Sequence, residues 1–290
     1  MRDLLDSAAG TGLGYPQMLK RFWDDDEEGG SSASPLHGQA AVVTGAGRGL
    51  GRAIALSLAR AGCRVVLTAR NADELAATAA LVEDAGGEAL AVAADVTSPE
   101  QVGRVHDEAI ARFEAVDIVV NNAGNLVLAP FVALPTDSAR AGLTFDDWRS
   151  TQSVHLDGAF HVLRAFAPAM LTRGHGRVIN IVSSALGRVV PFSSAYDTAK
   201  AGLAQLTRSL AFEWARYGVT VNAIAVGQVR TSMTEAAHDD PKTAAWLMRR
   251  IPVRRAGDPA EIGWLVTTLA GPESAFLTGQ IIGLDGGETL

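Results

Sequence analysis

The sequence holds one cysteine, Cys63, so an internal disulfide is excluded, and its place in the apolar stretch 61–67 reads as a small buried side chain. No apolar run approaches the roughly 18 residues that a membrane-crossing helix requires. The first twenty residues carry Asp3 and Asp6 and no apolar stretch of the secretory kind, so a cytoplasmic protein without membrane attachment is predicted. Positive charge is short as well. With 25 Lys+Arg against 32 Asp+Glu the net charge is −7, which argues against nucleic acid as a partner, because polyanion affinity comes from clustered cations. The six histidines have no HExxH or similar spacing, and neither a GxSxG elbow nor a Walker GxxxxGK(S/T) loop occurs. No metal site is predicted, and zinc hydrolysis, that type of serine hydrolysis and P-loop chemistry drop out.

What is present is ordinary globular composition, 48% hydrophobic and 20% charged over 290 residues. Residues 1–37 differ from the rest. They carry the acidic run Asp24, Asp25, Asp26, Glu27 and Glu28 followed by a Gly/Ser-rich stretch, and read as a tail and linker. Tyr15, Met18, Leu19, Phe22 and Trp23 are more apolar than a spacer needs, as if the tail docks on the body or a neighbouring subunit. From residue 38 to 290, short β-rich runs at 40–43, 64–68, 89–93, 118–121, 177–182, 220–225 and 280–284 alternate with helical patterns. The latter lie at 50–61, 73–86, 99–113, 145–172, 196–217 and 259–270. Nearly continuous apolar strands between helices predict an α/β fold, a doubly wound parallel sheet of about seven strands with right-handed crossovers.

The first strand runs into Thr44, Gly45, Ala46, Gly47, Arg48, Gly49, Leu50 and Gly51, after which a helix begins. Glycines there permit a tight turn and let backbone N–H groups and the helix N-terminus approach a pyrophosphate. In open α/β sheets the ligand lies outside the carboxyl ends of the strands, where Thr44, Arg70, Asp95, Asn121 and Ser183 gather. Further on, Tyr196 and Lys200 stand four residues apart, on one helix face and roughly 6 Å from each other. A nearby ammonium favours the phenolate and pulls a tyrosine pKa of about 10 towards neutrality, making Tyr196 a candidate general acid/base.

These motifs, in this order, resemble the short-chain dehydrogenase/reductase family: the TGxxxGxG loop at 44–51, Asn121-Asn122-Ala123-Gly124, a serine ahead of Tyr196 and Lys200, and Asp285-Gly286-Gly287 near the end. The resemblance spans 38–287. It implies a Rossmann-type, single-domain NAD(P)-dependent oxidoreductase, usually a homotetramer (a homodimer otherwise), that moves a hydride between nicotinamide and a small carbonyl or secondary alcohol. It further implies that Asp95 and Val96 meet adenine and that Asn122, Ala123 and Gly124 support the sheet and cofactor. Gly227, Val229 and Thr231 would then lie at the carboxamide end, and Lys200 would bind the nicotinamide ribose. Tyr196 would protonate the substrate oxygen while a serine hydroxyl steadies it. Ser183 fits the family spacing from Asn180 and to Tyr196, and Ser184 the spacing to Gly187; Ser183 is favoured.

Two positions depart from the family pattern. His155 stands where an asparagine is usual, a residue able to hold water and to titrate, and Val226-Gly227 replaces the usual Pro-Gly. Ala69 occupies the place of the acid that binds a ribose 2′-OH, with Arg70 beside it and Arg48 in the glycine loop, so NADP(H) is preferred over NAD(H). The long connection from Gly124 to Trp148, with Leu126, Leu128 and Phe131, and further apolar residues at Leu186, Val189, Phe192, Met233 and Trp246 suit a bulky, mostly apolar ketone or β-ketoacyl substrate. Oxidation of a secondary alcohol is the first alternative. A non-catalytic cofactor sensor is the second, opposed by the retention of Ser183, Tyr196 and Lys200.

Overall fold

Runs rich in Val, Ile and Ala become strands β1 (Ala40–Thr44), β2 (Arg64–Ala69), β3 (Ala89–Ala93), β4 (Ile118–Asn121), β5 (Gly176–Ser183), β6 (Val219–Val226) and β7 (Ile281–Leu284) in the computed structural model, which describes residues 34–136, 140–231 and 234–290. All pair in parallel, in the order β3-β2-β1-β4-β5-β6-β7. The order reverses between β1 and β4, and there the crevice opens. Helices α1 (Gly49–Arg60), α2 (Ala72–Asp84), α3 (Pro99–Phe113), α4 (Phe145–Gln152), α5 (Gly158–Arg173), α6 (Ser194–Trp214), α7 (Glu235–Asp239), α8 (Pro241–Arg250) and α9 (Pro259–Ala270) complete the chain.

Successive strand residues face opposite sides, and both sides are covered. Ala41 and Val43 pack with Ile54, Leu58 and Val266 of α1 and α9, whereas Ala40 and Val42 pack with Val102, Phe113, Val162 and Met170 of α3 and α5. Burial of each large side chain such as Phe113 or Met170 contributes about 1.5–3 kcal/mol. This double coverage is why the strands read as unbroken apolar runs.

The structure differs from the sequence expectation in three places. The helix expected over 145–172 is interrupted by a π-helical turn, Ser153–Asp157, between α4 and α5; the apolar period continues through it, so periodicity could not reveal it. Helices α7 and α8 were not anticipated, although Asp240 accepts from the Thr243 N–H and Pro241 opens the helix, a readable start signal. The compact unit runs from Pro35 to Leu290, and Leu36, which composition leaves with the tail, is fully buried. The acidic run, Phe22 and Trp23 of the tail, and Met233, lie outside the described residues. Among the described residues no helix is long and apolar enough to cross a membrane.

Candidate active site

The glycine loop takes the shape that only glycine permits: Gly45 and Gly49 have φ of 65° and 53°, and a Cβ on Gly51 would stand 2.1 Å from the Gly45 carbonyl oxygen. At the start of α1, Arg48 makes no side-chain cap and the first turn holds no acid, so its N–H groups face outward for an anion. The loop is braced from below, where the Gly47 carbonyl accepts from Arg52 Nη2 (2.6 Å) and Thr78 Oγ1 (3.1 Å). Thr44 Oγ1 accepts from the Asn122 and Ala123 N–H groups, both at 2.9 Å, and Asn122 Nδ2 donates to the Thr44 carbonyl at 2.8 Å. Loop and β4 end are thus one frame, and these residues fit a dinucleotide pyrophosphate.

The other residues expected at the cofactor are positioned as follows. Asp95 caps its own turn by accepting from the Thr97 N–H (2.9 Å) and hydroxyl (2.8 Å), and Val96 packs on Gly158 at the head of α5. Thr231 lies over Gly49, 3.6 Å from where a Cβ would be. Val229 bridges to Gly257, and Gly227 has no room for a side chain because its Cβ would meet Asp285 Cα at 2.6 Å. Arg70, just past β2, is exposed and unpaired among the described residues. Arg48 is not free: its Nη1 lies 3.5 Å from Glu74 Oε1, a neighbour on α2 that sequence reasoning missed.

A buried polar chain fixes the second half of the site. Asn121 Nδ2 donates to Asn180 Oδ1 (2.8 Å), and Asn180 Nδ2 donates to Thr207 Oγ1 (2.9 Å), linking β4 and β5 to α6. Ser183 ends β5, and Tyr196 and Lys200 occupy the first turns of α6. Lys200 Nζ lies 5.6 Å from the Tyr196 ring centroid, and the His155 ring meets the Tyr196 ring edge-on at 5.3 Å. Ser183 Oγ accepts from the Ala185 N–H at 3.1 Å and lies near enough to Tyr196 to pull its pKa down, whereas Ser184 Oγ is buried and committed to Glu288 Oε2 at 3.1 Å. Of the two serines, only Ser183 faces the tyrosine.

The electrostatics correct two expectations. Burial raises the Tyr196 pKa, with Ser183 pulling it back, so the phenol is not depressed by its lysine as the spacing had suggested. Lys200, buried and donating to the Ile181 carbonyl at 2.7 Å, is itself pushed down to about 7 by desolvation. The full charge expected to lower the phenol is therefore weakened near neutrality. His155 does not titrate in the physiological range either, because burial, then the Lys200 charge, lower its pKa to about 3. Its Nε2 lies 2.9 Å from the Asn125 carbonyl and 3.3 Å from the Asn125 N–H, so Asn125 can pair with this nitrogen whether or not it carries the proton. Nδ1 has no partner among the described residues. The ring also borders a cavity of about 10 Å³, room for a single water, between Thr44, Asn121, Val154 and Leu203. Gly124 is required here, since a Cβ would fall 2.5 Å from the imidazole Cε1.

The lowered His155 pKa carries a stability sign. Unfolded imidazole takes its proton near 6.5 and the folded one only near 3, so stability is lost as pH falls through that window. His155→Asn should flatten the fall by an amount on the order of a few kcal/mol; thermal midpoints from pH 7 to pH 4 check this, and parallel curves for the two proteins would contradict it.

A switch-point glycine cradle joined to a Ser, Tyr and Lys cluster defines a dinucleotide-dependent α/β oxidoreductase. The family model described as enoyl-(acyl carrier protein) reductase matches residues 45–289. The chain is 36% identical over 254 residues (87% of this chain, 97% of the other) to a 3-oxoacyl-[acyl-carrier-protein] reductase of Synechocystis sp.. It is 39% identical over 258 residues (88% and 96%) to galactitol 2-dehydrogenase (L-tagatose-forming) of Cereibacter sphaeroides. The crystal structure of a gluconate 5-dehydrogenase from Burkholderia cenocepacia J2315 in complex with NADP and tartrate superposes with a TM-score of 0.81 at 37% identity, covering 89% of this chain and 97% of that one. The protein belongs to the short-chain dehydrogenase/reductase family, and it is an NAD(P)-dependent oxidoreductase acting on CH–OH and C=O groups.

Proposed function

We propose that the protein uses NADPH to reduce a bulky, apolar ketone or β-ketoacyl-type substrate to a secondary alcohol. The observation that carries this reading is the Ser183, Tyr196 and Lys200 cluster, together with the exposed apolar side chains on the loops that follow β4 and β5. Leu128, Phe131, Val189 and Phe192 are exposed there, and the two loops that hold them are joined by the Ala129 N–H donating to the Phe192 carbonyl at 2.9 Å. Phe192 has φ of 67°, a left-handed conformation that a bulky residue adopts at a cost, and such outliers gather at functional sites.

In this reading Tyr196 delivers its proton to the carbonyl oxygen and the Ser183 hydroxyl donates to the same oxygen, stabilising the charge that develops there. Lys200 binds ribose hydroxyls. His155 holds the loop after Gly124 through the Asn125 carbonyl. The bound nicotinamide supplies the hydride. Thr44, Gly45, Gly47, Gly49, Leu50 and Gly51 would cradle the pyrophosphate, Asp95 and Val96 the adenine, and Asn122, Ala123, Gly124, Gly227, Val229 and Thr231 the nicotinamide side. Also part of the proposal are the division into a tail and a catalytic domain, with the boundary set at Pro35 by the burial of Leu36, a homotetramer or homodimer, and a cytoplasmic site of action.

The preference for NADPH rests on Arg70, because Glu74 already offsets Arg48. Arg70→Ala should raise the Kd for NADPH about tenfold and leave that for NADH within about twofold, since only NADPH offers a phosphate to the guanidinium. Equal weakening of both, read by fluorescence titration, would sink the 2′-phosphate role. The function itself is tested by steady-state NADPH oxidation with β-ketoacyl thioesters, aryl ketones and ketoses. A clear preference for ketoses would replace this reading with polyol oxidation, which the similarity to galactitol 2-dehydrogenase favours as second choice.

A further inference from the structure

Five residues beyond Ser183, Arg188 enters a buried ion pair that the chemistry above does not use. Glu288, third from the end of the chain, has a side chain with 0% exposure, and its Oε1 lies 2.7 Å from Nη2 of Arg188, whose side chain is 11% exposed. Its other oxygen, Oε2, accepts from Ser184 Oγ at 3.1 Å. Ser184 and Arg188 bracket the short 3-10 turn Ser184–Leu186 and Gly187, so one carboxylate grips both ends of the turn that follows β5. At Gly187 a side chain would be crowded, because a Cβ would stand 3.0 Å from the Thr289 side chain.

The tail is shaped to make this grip. Gly286 and Gly287 both take positive φ, 64° and 84°, and turn the chain back after β7. Asp285 then fixes the fold by accepting from the Gly287 N–H (2.9 Å), the Thr289 N–H (3.1 Å) and the Thr289 hydroxyl (2.6 Å). A buried ion pair is a poor device for stability alone, since desolvation of both charges offsets their attraction and apolar replacements often serve as well. What it fixes is direction. Ser183 Oγ already accepts from the Ala185 N–H inside this turn at 3.1 Å, which leaves its own proton to be aimed outward. Arg188 also acts on Asp197, the neighbour of Tyr196.

We propose that Glu288 is a positioning residue: through Arg188 and Ser184, the C-terminal tail sets where the Ser183 hydroxyl points and so completes the site for the carbonyl oxygen. The inference rests on the reading of Ser183 given above. In the full-length protein, Glu288→Ala should lower kcat about tenfold or more, as small misplacements of a reacting group do. NADPH Kd should stay within about twofold, because no cofactor residue is touched. Glu288→Gln, which keeps an acceptor for Ser184, should recover part of the loss. The double variant Arg188→Met with Glu288→Met removes both charges, so its thermal midpoint should return towards wild type while kcat stays low. Should Glu288→Ala fail to fold, Ser184→Ala decides: it removes one hydrogen bond and so lowers the midpoint modestly, and kcat should fall several-fold. If kcat recovers together with the midpoint in the double variant, or stays at wild type in Ser184→Ala, the pair is structural and the proposal is overturned. Ser183→Ala separates the two readings: wild-type turnover there overturns the serine's own role and the tail's with it, whereas loss there beside full activity in the Glu288 variants overturns the tail alone.

Discussion

Tyr196→Phe is expected to lower ketone reduction by about 10³-fold, the range a positioned general acid supplies. The variant keeps the ring, and with it the edge contact to His155 at 5.3 Å, so the fold and NADPH affinity should be unchanged. Because burial raises the Tyr196 pKa, the phenol stays protonated through neutral pH and reduction needs no prior titration of this group. The reverse reaction needs the phenolate, and alcohol oxidation should therefore climb with pH well past neutrality. Turnover within twofold of wild type in the variant would remove Tyr196 from the mechanism.

Lys200→Met is expected to abolish most turnover and yet raise the thermal midpoint. Lys200 is pushed from 10.5 to about 7 by desolvation, so the folded state holds its proton less tightly than the unfolded one. The cost to folding is fully present below about pH 7 and fades as pH rises towards 10.5, where neither state is charged. Methionine removes that cost, a few kcal/mol by the pKa shift, and forfeits the hydrogen bond to the Ile181 carbonyl, about 1 kcal/mol. The net gain should be a midpoint higher by about 2–4 °C per kcal/mol at pH 6, shrinking at pH 9. A variant less stable than wild type at pH 6 would show that the buried ammonium is not a burden to the fold.

The sheet was legible because both its faces are covered, which turns each strand into an apolar run such as Ala40–Thr44 or Val219–Val226. The glycine loop, Tyr196 and Lys200 were legible because spacing within one turn or one helix survives folding. Interactions across long sequence separations were not. Glu74 beside Arg48, and Glu288 beside Arg188, look in sequence like any solvated acids, and only the crossing of elements brings them to their arginines. The choice between Ser183 and Ser184 had the same origin, since it depends on a carboxylate 104 residues away. The direction of the Tyr196 pKa was misread because its burial belongs to the folded protein alone.

That separation also orders events as the chain is made. The frame joining Thr44 to Asn122, and the Asn121, Asn180 and Thr207 chain, are complete in sequence well before Glu288 is added. Contacts of such range form late, after the entropy of closing the intervening loop has been overcome. A nascent polypeptide that stops short of Glu288 would already hold β7, but Arg188 would be left buried without its counter-charge beside the serine turn. Addition of Glu288 is thus the step that neutralises this pocket.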